Sequence, residues 1–296
     1  MTPRWTGCAS WTCMPCVPLP QQIALAATPV FPRPLGHLEV HLPHLLAHDP
    51  DDIADTLGRH GVRAVAATGL LPGSVLHRDL DVDQIRHGLR FLARIGCPVA
   101  LVMLDHSITG TYYRAVQETI TRLCALVDLA AEHDITLAVQ TLGAPGQQRS
   151  EYASGTLPGI RTLPQVTRLL DEFDTESARV GVCVDSVSWA ATGADPAHLT
   201  ELDHPVRHVR IADIPHRVPA HRWGPAQRLM PGDGALPWAT FTSALEKIRY
   251  RGPVAVTVSN PRIRALPGPD IIARSARALA QVCSRAPTTE ATAYAA

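Results

Sequence analysis

The chain has 296 residues and a mass of 31.9 kDa, with 46% apolar and 18% charged residues. That is enough apolar material for one large core and too little charge for an extended disordered chain. Twenty-seven basic residues balance twenty-seven acidic ones, which argues against non-specific nucleic-acid binding, and no run of about 18 apolar residues is present to span a membrane.

Residues 1–20 carry Cys8, Cys13 and Cys16 but no continuous apolar segment behind a basic start, so they read as a flexible leader rather than a secretion signal. Cys13 and Cys16 form a CxxC with no matching pair of ligands nearby for a closed zinc site. The remaining cysteines are dispersed, as expected in a reducing cytoplasm. A first strand is predicted at 23–28, followed by a Pro-rich loop at 29–34 too short for a crossover helix, and a second strand at 37–42. Then come a helix at 51–60, a strand at 62–68, a helix at 81–95 and a strand at 98–105. The longest helix, 112–133, carries Val116, Ile120, Leu123, Val127 and Ala130 along one stripe. Strands at 135–141, 179–185, 206–213 and 253–259 come next, separated by helices at 163–173, 196–202 and 237–249, with a last helix at 269–282. Several strands are apolar at nearly every position, as parallel strands covered on both faces are.

Eight strands with intervening helices predict a single (β/α)8 TIM barrel over residues 21–283, with a reduced or missing first helix and a disordered tail at 284–296. No GxGxxG follows a strand, which disfavours a doubly wound sheet.

The C-terminal ends of barrel strands face a common mouth, and the polar residues there form the candidate site. Glu39 and His41 lie two apart on the second strand and share a face, as His208 and Arg210 do on the seventh. Asp105 and His106 end the fourth strand, Gln140 the fifth and Asp185 the sixth. Asp213 closes the seventh strand, and Thr257 lies on the eighth. A charged side chain inside an apolar strand needs a partner, and Glu39 or Asp185 opposite Arg210 would supply one. His106, at a strand end, suits acid or base work near pH 7. The loop 215–234 carries His216, Arg217, His221, Arg222, Arg228 and Asp233 and either caps the mouth, bringing cations to an anionic substrate, or only covers the barrel edge; it ends in Pro231-Gly-Asp-Gly234, where the amides of Gly232 and Gly234 could hold a phosphate or carboxylate. The loop 143–159, with Gln147, Gln148, Arg149 and Tyr152, reads as a lid. The lone lysine, Lys247, sits in an amphipathic helix end and is a poor candidate for Schiff-base chemistry.

The succession Arg179-Val-Gly-Val-Cys-Val-Asp185, Gly193-Ala-Asp-Pro196, Arg207-His-Val-Arg-Ile-Ala-Asp213, Pro231-Gly-Asp-Gly234 and Tyr250-Arg-Gly-Pro-Val-Ala-Val-Thr257 resembles the xylose-isomerase-like TIM barrels. That group includes sugar-phosphate isomerases and epimerases, inosose dehydratases and hydroxypyruvate isomerase. The resemblance implies a divalent metal held by a glutamate, an aspartate, a histidine and a second glutamate on the last four strands. Those positions fall here on Gln140, Asp185, Arg210 and Thr257, and a histidine common three residues after the aspartate is Ser188. One ligand of four survives, and Arg210 would put a fixed cation where a metal should sit. The implied site is therefore degenerate, with no metal or other cofactor expected.

Three functional readings are open. The first is a metal-independent isomerase, epimerase, lyase or cyclase that abstracts a proton from a small polyoxygenated or carboxylated metabolite. Its catalytic residues would be Asp185, His106, Arg210 and Glu39, with Asp185 or His106 as the base. His41, Asp105, Gln140, His208, Asp213, His216, Arg222, Thr257, Gly232 and Gly234 would bind the substrate. The second keeps Mn or Mg in a relocated site built from Asp185, Glu39, His106 or Asp105. The third is a non-catalytic barrel that binds a ligand or pathway partner. In each the partner is a small molecule, not nucleic acid or membrane, and a homodimer stays open.

Overall fold

The computed structural model describes residues 5–30, 35–76, 79–105, 107–143, 157–172 and 179–284. Eight parallel strands close into a barrel: β1 (Thr6–Ser10), β2 (His37–His41), β3 (Arg63–Thr68), β4 (Val99–Met103), β5 (Thr136–Gln140), β6 (Val180–Asp185), β7 (Val206–Ile211) and β8 (Pro253–Val256). β1 joins the two ends of the sheet, pairing Cys8 with Ala255 of β8 and Ser10 with Glu39 of β2. Helices cover the outside, and the main core lies between them and the strands, with Ile23, Leu89, Leu92, Leu123, Leu126 and Phe241 fully buried. No helix among the described residues is long and apolar enough to cross a membrane.

The eightfold barrel matches the expectation, but its first unit lies earlier in the chain than predicted. Residues 6–20 do not form a leader: Thr6–Ser10 is a barrel strand, and Cys8, Ala9, Cys13 and Met14 are buried. The predicted strand at 23–28 is instead part of the helix Leu19–Ala27. Its buried residues Leu19, Gln22, Ile23 and Ala26 recur at helical spacing. Alanine, leucine and glutamine are strong helix formers, and Pro20 sits in the first turn, where its missing amide proton is not needed. The first helix is indeed reduced, at nine residues.

Two register shifts shape the barrel. Between β2 and β3 the pairing runs Leu38 with Ala64 and then Glu39 with Ala66, leaving Val65 as the extra residue. Between β6 and β7 it runs Val182 with Val206 and then Cys183 with His208, leaving Arg207 extra. Each bulge re-aims the residues beyond it, and the second sets Asp185 beside Arg210. Inside the barrel, Ala66, Ala138 and Ala255 are small and fully buried. Beside them stand the long charged side chains of β2 and β7.

Candidate functional site

The polar residues of the strand ends sort into two ion-paired clusters and two loop anchors. The first cluster is built on Glu39, which is wholly buried. Its Oε1 accepts from Ser10 Oγ at 2.7 Å and from Arg210 Nη2 at 3.3 Å. Its Oε2 faces His208 Nε2 at 2.9 Å and Arg210 Nε at 3.1 Å. Arg210 also donates from Nη1 to Gln140 Oε1 at 2.9 Å and from Nη2 to Thr12 Oγ1 at 3.2 Å. Burial works against the Glu39 carboxylate, but the Arg210 guanidinium and the His208 hydrogen bond outweigh it and hold its pKa at about 2. The same exchange runs the other way for Arg210, where burial opposes the charge and Glu39, Asp185 and Cys183 together more than restore it. His208 Nδ1 is buried with no hydrogen-bond partner among the described residues.

The second cluster is Asp185 with Arg228, joined by a two-point fork: Arg228 Nη1 to Oδ2 at 2.9 Å and Nη2 to Oδ1 at 3.0 Å. Arg228 Nη1 also reaches Thr257 Oγ1 at 3.4 Å. Asp185 is at once the last residue of β6 and the cap of the helix Ser186–Ala191, accepting from the amides of Val187 and Ser188, both at 3.0 Å. Burial would raise its pKa, yet Arg228, then Arg210 and the Ser188 amide, bring it below the usual aspartate value. Both carboxylates are sealed, whereas the Arg210 and Arg228 side chains keep 11% and 10% of their surface open. The exposed edge of each pair is therefore cationic.

The remaining predicted residues take other roles. Asp213 is a loop anchor: its two oxygens accept from the amides of Ile214, Leu236, Gly232 and Gly234 and from Trp238 Nε1, at 2.8–3.0 Å. The Gly232 and Gly234 amides, expected to hold an anion, are thus committed to Asp213. Gly234 must be glycine because a Cβ would lie 2.1 Å from Ile214 O. Asp105 is likewise a loop anchor, accepting from Ser74 Oγ and, at 2.9 Å, from the Leu76 amide. His216 and Arg222 are exposed on their loop, and Arg228, six residues beyond Arg222, is the side chain that enters the barrel. His106, the lid candidates Gln147, Gln148, Arg149 and Tyr152, and the tail 285–296 lie outside the described residues.

One feature comes into view only once residues 6–20 are part of the barrel. The Trp11 ring, just beyond β1, stacks on His41 with centroids 4.0 Å apart and planes 13° from parallel. His44 meets His41 edge-on at 5.0 Å. His41 Nδ1 lies 3.1 Å from Thr68 Oγ1. Burial first, and His44 second, lower the His41 pKa to about 4, so its imidazole is neutral near pH 7. Thr12, the neighbour of Trp11, touches Arg210, which places this aromatic group beside the first ion pair.

A divalent metal does not fit this donor set. No group of three or more His, Cys, Asp or Glu side chains that could hold a metal occurs among the described residues. Gln140 and Asp185, the two strand-end oxygens nearest to a ligand set, each already bind a guanidinium. A cation there would face two fixed positive charges.

A family model described as "Xylose isomerase-like TIM barrel" matches residues 28–282. No curated protein matches the chain. Among solved structures, an IOLI protein with a binding zinc atom superposes with a TM-score of 0.81 at 18% identity, over 96% of this chain and 99% of its own. A xylose isomerase domain protein from Alicyclobacillus acidocaldarius subsp. acidocaldarius reaches 0.77 at 19% identity, over 95% and 99%. D-psicose 3-epimerase, crystallised with D-fructose, reaches 0.69 at 15% identity, over 93% and 98%. At these identities the likeness is one of fold.

Proposed function

We propose, from the premise that the chain belongs to the xylose isomerase-like TIM barrel family, that it is a metal-independent enzyme acting by proton abstraction on a small carboxylated or polyoxygenated metabolite. The observation that carries this reading is the Arg210 guanidinium, held by Glu39 and 2.9 Å from Gln140 at the strand ends. Oriented guanidinium donors can stabilise a developing enolate or carboxylate charge, as a Lewis acid does, without needing a metal's ligand set. Arg228, forked onto Asp185, supplies a second such edge.

The proton acceptor is reached by elimination among the candidates. Glu39 and Asp185 have depressed pKa values and make weak bases, since an efficient base titrates near the working pH. They position the arginines instead. That leaves His106 as the proposed base and Asp185 as an orienting group. Isomerisation, epimerisation, dehydration and ring closure all share this first step, a C–H bond broken with its proton passed to the base and its electron pair drawn toward an oxygen beside the guanidinium.

The test is exchange of substrate C–H for deuterium in D2O, followed by NMR across a panel of small hydroxy and keto acids with chelator present. Exchange should persist in chelator and fall by roughly 10²–10³-fold, the scale for one lost oxyanion donor, in Arg210→Lys, which keeps the charge but loses the fork. His106→Ala should abolish it. Exchange that requires Mn or Mg, or that survives in both variants, would overturn the reading. One observation favours a second, non-catalytic reading: each guanidinium is already neutralised by its own buried carboxylate, an arrangement complete without a reaction. Ligand binding with no exchange across the panel would select it.

A further inference from the structure

We infer, resting on the reading of the strand ends as the reactive site, that the mouth takes a 2-hydroxy or 2-oxo carboxylate. Its carboxylate sits on Arg228 and its 2-oxygen on Arg210. The ground for this is which donors of the two guanidiniums are already used. A guanidinium is a planar set of N–H donors. It offers one two-point edge at its end, Nη1 with Nη2, and another at its side, Nε with Nη2. The two arginines of the mouth are held by opposite edges.

Arg210 turns its side to Glu39, with Nε 3.1 Å from Oε2 and Nη2 3.3 Å from Oε1. Its second Nη2 proton goes to Thr12 and one Nη1 proton to Gln140, which leaves the other Nη1 proton without a partner among the described residues. Arg228 turns its end to Asp185, through Nη1 at 2.9 Å and Nη2 at 3.0 Å, and its other Nη1 proton reaches Thr257 Oγ1 at 3.4 Å. Arg228 Nε has no hydrogen-bond partner among the described residues, and it keeps contact with solvent where Arg210 Nε is buried. The side of Arg228, Nε–H with the outer Nη2–H, is therefore an unused fork. It is also a fixed one. Leu229, the next residue, exchanges two backbone hydrogen bonds with Asp213, at 2.9 and 3.0 Å, so the strand end and not the free loop sets where Arg228 stands. Asp185 joins the two cations, since it holds Arg228 and pairs in register with Arg210.

An unused planar fork takes the two oxygens of a carboxylate side by side. A single N–H on the neighbouring guanidinium takes one oxygen more, and the nearest such oxygen to a carboxylate is the one on C2. Charge selects a monoanion. Glu39 cancels Arg210 and Asp185 cancels Arg228, with both carboxylates sealed and both guanidiniums partly open. A dianion such as phosphate would meet no excess positive charge, whereas a single carboxylate meets two cationic edges at short range. In this pose Arg228 fixes the direction of approach. The 2-oxygen then lies on Arg210, the guanidinium that steadies the charge left when the C–H bond breaks.

The experiment is a titration of the isotope-labelled full chain with lactate, followed through the arginine Nε–H signals in proton–nitrogen NMR spectra. One signal, identified as Arg228 by its loss in Arg228→Lys, should move downfield saturably. Propionate, which lacks the 2-oxygen, should bind about tenfold more weakly, the scale of one charge-assisted hydrogen bond. Lactamide, which lacks the charge, should leave the signal in place. Arg228→Lys keeps a cation beside Asp185 but loses the side fork, and should weaken lactate about tenfold or more in calorimetry, with Tm verifying that it is folded. Arg210→Lys should lower lactate to the affinity of propionate and leave propionate unchanged. Where Arg228→Lys does not fold, the three ligands on the wild type decide alone, since they need only one arginine signal to move. No shift in any Nε–H signal, equal affinity for lactate and propionate, or inorganic phosphate bound more tightly than lactate would overturn the inference. Turnover is a separate result. Lactate held in this way with no C–H exchange in any acid refutes the proposed chemistry and supports the assignment of the carboxylate. Exchange confined to neutral polyols supports the chemistry and overturns that assignment.

Discussion

Replacing Glu39 with glutamine removes a buried charge while keeping its shape. In the wild type that carboxylate accepts from Ser10 and contacts His208 and Arg210 from a position with no solvent exposure. Its folded pKa of about 2, against 4.5 for an unperturbed glutamate, corresponds to roughly 3 kcal/mol of stability at neutral pH. Because the folded value is the lower one, this contribution is present above pH 4.5 and is lost as pH falls from 4.5 through 2, with roughly half gone by pH 3. Glu39→Gln also strands the Arg210 cation, and breaking a buried pair this way costs about 3–5 kcal/mol. For a domain of this size that is a fall in Tm of roughly 5–8 °C at pH 7. The gap from wild type should narrow toward pH 3. Glu39→Gln with Arg210→Met removes both charges and should recover part of the loss. Chemical and thermal denaturation of the wild type, Glu39→Gln, Arg210→Met and the double variant at pH 7 and pH 3 completes the cycle. A Glu39→Gln variant within about 0.5 kcal/mol of wild type at pH 7, or a double variant whose loss equals the sum of the single losses, would show that the pair is not coupled as described.

Asp213→Asn should lower stability by several kcal/mol, since one carbonyl cannot replace a carboxylate that accepts from four amides and an indole. Limited proteolysis should then cut within 215–234 at a rate the wild type does not show. Deleting residues 1–10 removes β1 and leaves β8 and β2 without their shared partner, so cooperative unfolding and the near-ultraviolet circular dichroism signal should be lost. His41 should titrate by NMR at about pH 4. Its folded value lies below the 6.5 of a free imidazole, so protonation favours the unfolded chain and stability falls as pH drops from 6.5 toward 4.

Much of the barrel is legible in the sequence because parallel strands are covered on both faces and show as unbroken apolar runs. The strand Thr6-Gly-Cys-Ala-Ser10 has no such run: its residues are small, and burial comes from the neighbours it closes against. The alanine-rich helix after it offers a stronger apolar segment, and so takes the place of the first strand in a reading by pattern. In the site, Glu39, His208 and Arg210 are legible because a period of two fixes which side chains share a face. The inward turn of Arg228 is not, since a loop has no period and only the folded chain shows which of its cations enters the barrel. Gly232 and Gly234 are misassigned for a related reason. Their amides do point at a negative charge, but that charge is Asp213 of the same chain.

The most direct measurement is an anomalous-difference map from crystals of the wild-type protein soaked in Mn²⁺. Metal-independent chemistry at the strand ends predicts no peak among Gln140, Asp185 and Thr257, with the Arg210 guanidinium 2.9 Å from Gln140 Oε1 and the Arg228 fork on Asp185 intact. A peak ligated by Gln140 and Asp185, with either arginine turned away to admit it, would contradict that chemistry and return the protein to metal-dependent catalysis.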